Sequence, residues 1–553
     1  MYTLITKDYK HFELRSEDEV LDFEGAILAN GCLTGDKVEW DHSIGCRLVE
    51  RGEHSVLVGI LELNSKTKYG MTSRGIPMYL FSPSRKEYPN FVVGCSEKIL
   101  THNKLVLVRI EDAVPVGRSL PRANLLDTIG PTGDPKAERT AILWTYTPYK
   151  MPSTITKLQP KIQDKNRELE LRPSTPANTF HIDPPDCRDV DDVISVEKVG
   201  DIHRIWITIS DVAEWVSPGT DIDIYAKKVT ATTYENGKPV RPMLPAGFSE
   251  DVCSLIPGKK GLGISLIMDW DGKGLDNLMF LKTTVNVRRS YTYDQADADK
   301  EGTFDILKKL TTFLSKIEEP NSHDVIEALM ILYNREVASI LRKKGTGILR
   351  RHDAADLDKW EKFKNVNPDI LFLAFKAAQF CNADAQDVYH AGLSSDAYCT
   401  ATSPIRRYAD LVNQRILKML LSNGEQEIPS PEVSVDWLNK RQKELKHYER
   451  DIFFISNMLH NDKRIIRSIV LDWTPIKNEE GRFKVQLYIP EWKRFIKWSV
   501  SGKPISDSRI QCVVQQKGQL FETIIEKSMS VRFEIFWNPQ VRNWKEKLVL
   551  RVA

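Results

Sequence analysis

The sequence has no run approaching the roughly 18 apolar residues that a membrane helix needs, and no membrane partner is expected. Its first residues, MYTLITKDYKHFELRSEDEV, hold no apolar core of a signal peptide and are too acidic for a transit peptide. It has eight cysteines, scattered from Cys32 to Cys512, with no CxxC pair. That spacing argues against a disulfide framework or a zinc site and favours a reducing compartment. The cytoplasm is the expected location, with the nucleus also compatible. No internal repeat or low-complexity tract is present. Neither sign of charge dominates: the net charge of +2 names no partner. What remains is an ordinary composition, 41% hydrophobic and 28% charged, in a chain of 553 residues. Such a chain is too long for one core and predicts two to four domains.

The charge is unevenly placed. From Arg467 onward the chain holds 16 Lys and Arg against 9 Asp and Glu, a balance of +7. The same stretch holds five of the 12 tryptophans: Trp473, Trp492, Trp498, Trp537 and Trp544. Acidity concentrates elsewhere, in FHIDPPDCRDVDDV, where Asp183, Asp186, Asp189, Asp191 and Asp192 crowd together with only Arg188 among them.

Residues 1–140 read as short β-branched strands such as VEWDH, CRLVE and HSVLVGILEL, parted by turn residues. A small barrel or a pair of barrels is the expected result. Residues 141–174, rich in proline and charge, read as a linker. The aspartates lead straight into VISVEKV-GD-IHRIWITI, a hairpin with Gly200 at the first central position of a type II′ turn. From about Asp305 the apolar spacing turns helical, in FDILKKLTTFLSKI, HDVIEALMILYNREVASILRKK and PDILFLAFKAAQF. Residues 402–421 predict a helix with Ser403 as N-cap and Pro404 at its first position, and 435–460 predict another. Strands return from about Ile469 in FKVQLYI, RFIKWSV, VRFEIFW and KLVLRVA. The predicted architecture is multidomain α+β: a large central domain over 175–465, flanked by small barrels at both ends, the last over 466–553.

Five carboxylates in ten positions repel one another and gain nothing from burial. One reading is a solvated acidic loop. A calcium loop of the EF-hand kind needs a glycine at its turn and a glutamate at position 12, and neither is in place. The third reading is Mg²⁺, a hard ion held by carboxylates and substrate phosphates. One or two such ions would offset the repulsion and could clamp a phosphodiester. A phosphodiester also wants cations opposite, and TSPIRRY offers Arg406 and Arg407 where an anion is welcome. The plain alternative is a surface pair between Arg406 and Asp410.

IDPPDCRDVDD resembles the metal-binding signature of the RNB ribonucleases, the family of RNase II, RNase R and the exosome exoribonuclease. Its DPPxCxDxDD form is nearest the eukaryotic branch. RIWITISDVAEWV, TTYENGKPVRPMLPAGFSEDVCSL and HAGLSSDAYCTATSPIRRYADLVNQRIL resemble further blocks in the family's order. The resemblance is strong over about 175–460. It is weaker before 140, where a cold-shock barrel is implied, and weakest at the end, where an S1-like OB barrel is implied. It implies a processive 3′-to-5′ exoribonuclease that hydrolyses single-stranded RNA to nucleoside 5′-monophosphates. Mg²⁺ would be its cofactor, with Mn²⁺ as a substitute. By position, Asp183, Asp189, Asp191 and Asp192 take the metal and Asp191 is the most sensitive. Arg406 stabilises the transition state, Arg406 and Arg407 meet RNA, Tyr234 stacks on a base, and Glu449 stands near the floor of the site. A monomer is implied, and any partners in RNA decay are left open. Thr208 and Gln414 replace histidines common in the family. The rival reading is a relative that has lost catalysis and only binds RNA.

Overall fold

The computed structural model describes residues 1–16, 18–52, 56–111, 120–299, 302–364, 368–423, 431–459, 464–476, 479–516, 519–538 and 548–553. They fall into two compact units. One comprises Met1–Tyr149, Asn365–Ile370 and Glu444–Ala553, the other Lys150–Lys364 and Leu371–Lys443.

The first unit is largely β. Its N-terminal sheet has five antiparallel strands, with Tyr2–Thr6 between His11–Arg15 and Lys37–Asp41. A closed five-stranded barrel follows, with Leu57–Leu61 between Met78–Pro83 and Lys104–Ile110. Alternation along these strands fills the barrel with Leu57, Leu61, Phe81, Phe91, Val106 and Val108. The C-terminal strands form one seven-stranded sheet from Arg464–Pro475 to Leu548–Val552. It curls until Arg509–Gln516 and Leu548–Val552 approach within 8 Å between Cα atoms. Curling of this kind shields the open edges of an all-β module. Trp492 is buried against Phe454, whereas Trp473 and Trp498 are half-buried. Trp544 and the side chain of Trp537 lie outside the described residues.

The second unit is built on six strands: β1 (Phe180–Ile182), β2 (Asp192–Val199), β3 (Ile202–Ser210), β4 (Lys260–Trp270), β5 (Leu275–Asn286) and β6 (Arg289–Tyr291), in the order β5-β4-β3-β2-β1-β6. Gly200 takes φ 62° at the first position of the β2–β3 turn while Asp201 does not, which is the type II′ geometry expected. At Gly263 of β4 an added Cβ would lie 2.5 Å from Thr208 Cγ2, so only glycine lets β3 and β4 pair there. The helix α1 (Ser322–Lys344) starts in a capping box between Asn321 and Asp324 and stops at the left-handed Gly345. It buries Val325, Leu329, Leu332, Val337 and Leu341, spaced by three to five along the helix. Further on come α2 (Tyr408–Asn423) and α3 (Val435–Leu459).

Two expectations are corrected. The predicted 402–421 helix begins only at Tyr408, because the backbone of 406–408 pairs with Thr230 and Thr232 instead. The apolar run PDILFLAFKAAQF is a short 3-10 turn, Pro368–Ala374, followed by the strand Gln379–Asn382, whose partner is Ile348–Arg351. The stretch read as a linker, 141–174, holds the end of the helix Pro135–Tyr146, the one-turn helices Ser153–Thr156 and Ile162–Lys165, and the helix Asn166–Leu171.

Candidate active site

The four family aspartates do not all stand at the head of one strand. Asp183 follows β1, Asp192 opens β2, and these two strands are antiparallel neighbours. The loop between them therefore returns on itself and brings its two ends together. Ser254 pins it, donating to Arg188 O at 2.6 Å and accepting from Val190 N at 3.1 Å. Ser210 N of β3 donates to Asp191 O at 2.8 Å. Asp183 is met from beneath by buried His181, with Nδ1 2.8 Å from Oδ2.

Asp191 is 3% exposed. Its Oδ1 accepts from Ile405 N at 3.0 Å and its Oδ2 from Arg406 Nε at 3.3 Å. Burial pushes its carboxyl up to about 8, against the opposing pull of Arg406. Burial and then the neighbouring Asp183 push Asp192 up to about 7. Both are carboxylates short of positive charge. The Arg406 guanidinium is held firmly charged: burial opposes its charge, and Asp191, Tyr234, Asp192 and Asp189 outweigh it.

Arg406 and Arg407 lie in a turn before α2 rather than in its first helical turn. Arg406 reaches Asp191, and its Nη2 reaches Ser403 Oγ at 3.3 Å. The expected alternative of an Arg406–Asp410 pair is not formed; Asp410 binds Arg407, Nη2 to Oδ2 at 2.7 Å. Tyr234, in the strand Thr233–Glu235, is half-buried and donates its hydroxyl to Asp189 Oδ2. Glu449 is exposed on the part of α3 that belongs to the first unit. Asp186 sits in left-handed backbone (φ 63°) on the exposed crest of the loop.

Sequence reasoning passed over three contributors. His181 stands two residues before Asp183 on a strand, and that spacing puts both on one face. Ser254 had no local signal, being 64 residues from the loop end it holds. Tyr293 stacks on His323 with ring centroids 3.6 Å apart, and burial first, then the charges of Asp183, Asp192 and Arg406, act on its hydroxyl.

The oxygen-only donor set suits a hard cation, and the raised Asp191 and Asp192 are what a bound cation would relieve. Among the described residues, no three His, Cys, Asp or Glu side chains already converge as a metal-holding group. Nor is any described helix long and apolar enough to cross a membrane.

The RNB domain model matches residues 172–317 and 299–423. Exosome complex exonuclease RRP44 of Mus musculus is 24% identical over 461 residues, covering 66% of this chain and 47% of that protein. The chain thus spans about half the length of this relative. The fold is shared, at a TM-score of 0.75 and 16% identity over the whole of both chains, with Mycoplasma genitalium RNase R solved with ribose methylated single-stranded RNA. It is also shared with yeast Ssd1, a pseudonuclease, at a TM-score of 0.61 and 16% identity over 93% of this chain and 81% of that one. Residues 172–423 therefore carry an RNB domain, and the chain is similar to the RRP44 and exoribonuclease 2 enzymes.

Proposed function

We propose that this protein is a hydrolytic exoribonuclease that shortens single-stranded RNA processively from the 3′ end and releases nucleoside 5′-monophosphates. It works as a monomer in the cytoplasm, with the nucleus also compatible. The observation that carries this reading is Asp191: a buried carboxylate in a cluster of five aspartates, gripped by an arginine and a backbone N–H. One or two Mg²⁺ ions, with Mn²⁺ as substitute, would be held by Asp183, Asp189, Asp191 and Asp192 and would act as Lewis acids on the phosphate. Water adds to phosphorus, the P–O3′ bond breaks, and the shortened strand keeps a 3′-hydroxyl while the released nucleotide keeps its 5′-phosphate. Arg406 offsets the negative charge that grows on the phosphoryl oxygens. Tyr234 offers a ring on which a base near the 3′ end stacks. The role of Glu449 rests on the motif HYERD alone.

A second reading, an RNA binder without catalysis, is favoured by two observations: no three carboxylates converge among the described residues, and Ssd1 shares the fold. The test uses 5′-labelled single-stranded RNA with a free or a blocked 3′ end and Mg²⁺. A ladder that appears only with the free end supports the exonuclease. Retention of RNA without any cleavage supports the binder, and cleavage of both substrates overturns the polarity.

A further inference from the structure

Resting on that reading, we propose that Asp410 and Arg407 are positioning residues that hold the ends of the turn whose middle grips Asp191, and that Arg407 takes no RNA phosphate. The turn runs from Thr402 to Arg407. Its middle supplies Ile405 N and Arg406 Nε to Asp191. Its ends converge on a single atom, Oδ2 of Asp410. That oxygen accepts from Ser403 N at 3.0 Å, from Arg407 Nε at 3.0 Å and from Arg407 Nη2 at 2.7 Å. Backbone bonds complete the frame: Arg407 N donates to Ser403 O, Tyr408 N to Thr230 O, and Thr232 N to Arg406 O.

Asp410 is wholly buried, and its Oδ1 has no hydrogen-bond partner among the described residues. A buried carboxylate with an unmet oxygen costs stability. The geometry gives that cost a use: a carboxylate in the first turn of α2 ties Ser403 to the charged Arg407 and so fixes where Arg406 points. The two arginines are committed differently. Arg407 has both Nε and Nη2 engaged within the turn, and Nη2 also reaches Thr402 Oγ1 at 3.4 Å. Arg406 is half-exposed, and among the described residues its side chain makes two long bonds of 3.3 Å. It is the arginine free to shift onto a phosphate.

The test compares Arg407→Gln, Arg407→Lys, Asp410→Asn and the double variant Arg407→Gln/Asp410→Asn with the wild type. It measures kcat and KM on 5′-labelled single-stranded RNA, the slope of log affinity against log salt in chelator, and the melting temperature. The expected result is that each single variant lowers kcat at least tenfold with KM within threefold. The double variant is no slower than the slower single, since the pair acts as a unit. Arg407→Gln leaves the salt slope unchanged. A loss of about 0.7 in that slope with raised KM and normal kcat would make Arg407 an RNA contact and overturn the proposal. If Arg407→Gln melts below the assay temperature, Arg407→Lys decides, since it keeps the charge and loses only the fork: slow turnover at wild-type melting temperature upholds the proposal, and normal turnover overturns it. An inactive wild type fells the nuclease reading and this proposal together. An active wild type with unaffected variants fells this proposal alone.

Discussion

Asp191 differs from its three companions in being almost fully buried, and that difference sets what its substitution does. Asp191→Asn keeps the shape and can still accept from Ile405 N, but it loses the charge. On the proposed reading RNA affinity would be spread over many phosphates and stacked bases, whereas cleavage would depend on this carboxylate. We expect turnover of Asp191→Asn to fall to background with RNA affinity within about threefold, checked by single-turnover cleavage and equilibrium binding. Tyr234 has two separable parts, a ring and a hydroxyl on Asp189. Losing one base–aromatic stack costs roughly 1–3 kcal/mol, enough to change which product is released. Tyr234→Ala should remain active and end in a limit product longer by some nucleotides. Tyr234→Phe keeps the ring and should end where the wild type does, as read on a denaturing gel beside a melting curve. The aspartates were legible because crowded like charges demand a reason. Their arrangement was not, because D-x5-D-x-D-D does not say that Asp183 leaves one strand and Asp192 enters its neighbour.

At the scale of elements, periodicity found α1 and α3 within a residue or so, since both carry long apolar stripes and α1 its caps. It failed at Thr402–Arg407, where Ser403 and Pro404 imitate a helix start while the backbone pairs with 230–232. It failed again at PDILFLAFKAAQF, where apolar spacing alone cannot tell a helix from a turn and a strand. The stretch read as a linker also proved to be stitched down. Arg172, 6% exposed, binds Asp211 at 2.7 Å, Glu214 at 2.9 Å and Glu168 at 3.0 Å, and Lys418 of α2 binds Asp211 and Glu214. Burial works against the charge of Glu214, but Lys418 and Lys165 outweigh it and hold its carboxyl at about 2. A carboxylate depressed in the folded state stabilises above its ordinary pKa, near 4.3, and loses that contribution as pH falls toward 2. Stability should therefore decline as pH drops from about 4.5 to 2. Lys418→Met should blunt that decline, and Arg172→Met should lower stability at pH 7 by roughly 1–3 kcal/mol, because Asp211 keeps Lys418 but loses its bond to Arg172. Chemical denaturation across that pH range checks both; an unchanged pH profile in Lys418→Met would remove the network from the account.

At the scale of the whole molecule, the order of β, mixed and β segments was readable from the spacing of apolar and turn residues, and one unit carries the carboxylates while the other carries the flanking β modules. The basic surplus of the C-terminal stretch was readable as a total but not as a surface. Its placement follows from strand register. In Arg482–Ile489 and Arg494–Ser506, Val485, Ile496 and Val500 point inward, so Lys484, Lys497 and Lys503 alternate outward. Lys484 lies opposite Ser499, Lys497 opposite Gln486 and Lys503 opposite Gln511, which puts all three on one exposed face. Deleting the sheet would confound the result, because Trp492 packs on Phe454 of α3 and Arg494 binds Asp451 there. Replacing the three lysines with glutamine leaves that packing alone. Each phosphate neutralised on a single strand contributes roughly 0.7 to the salt slope. If this face tracks the RNA backbone, the triple variant should bind more weakly at low salt and its slope should shrink by about 2. Turnover at saturating RNA should stay within about twofold, since the aspartate loop and Arg406 are untouched. An unchanged slope would assign the surplus to solubility of the sheet and leave RNA capture to other surfaces of the chain.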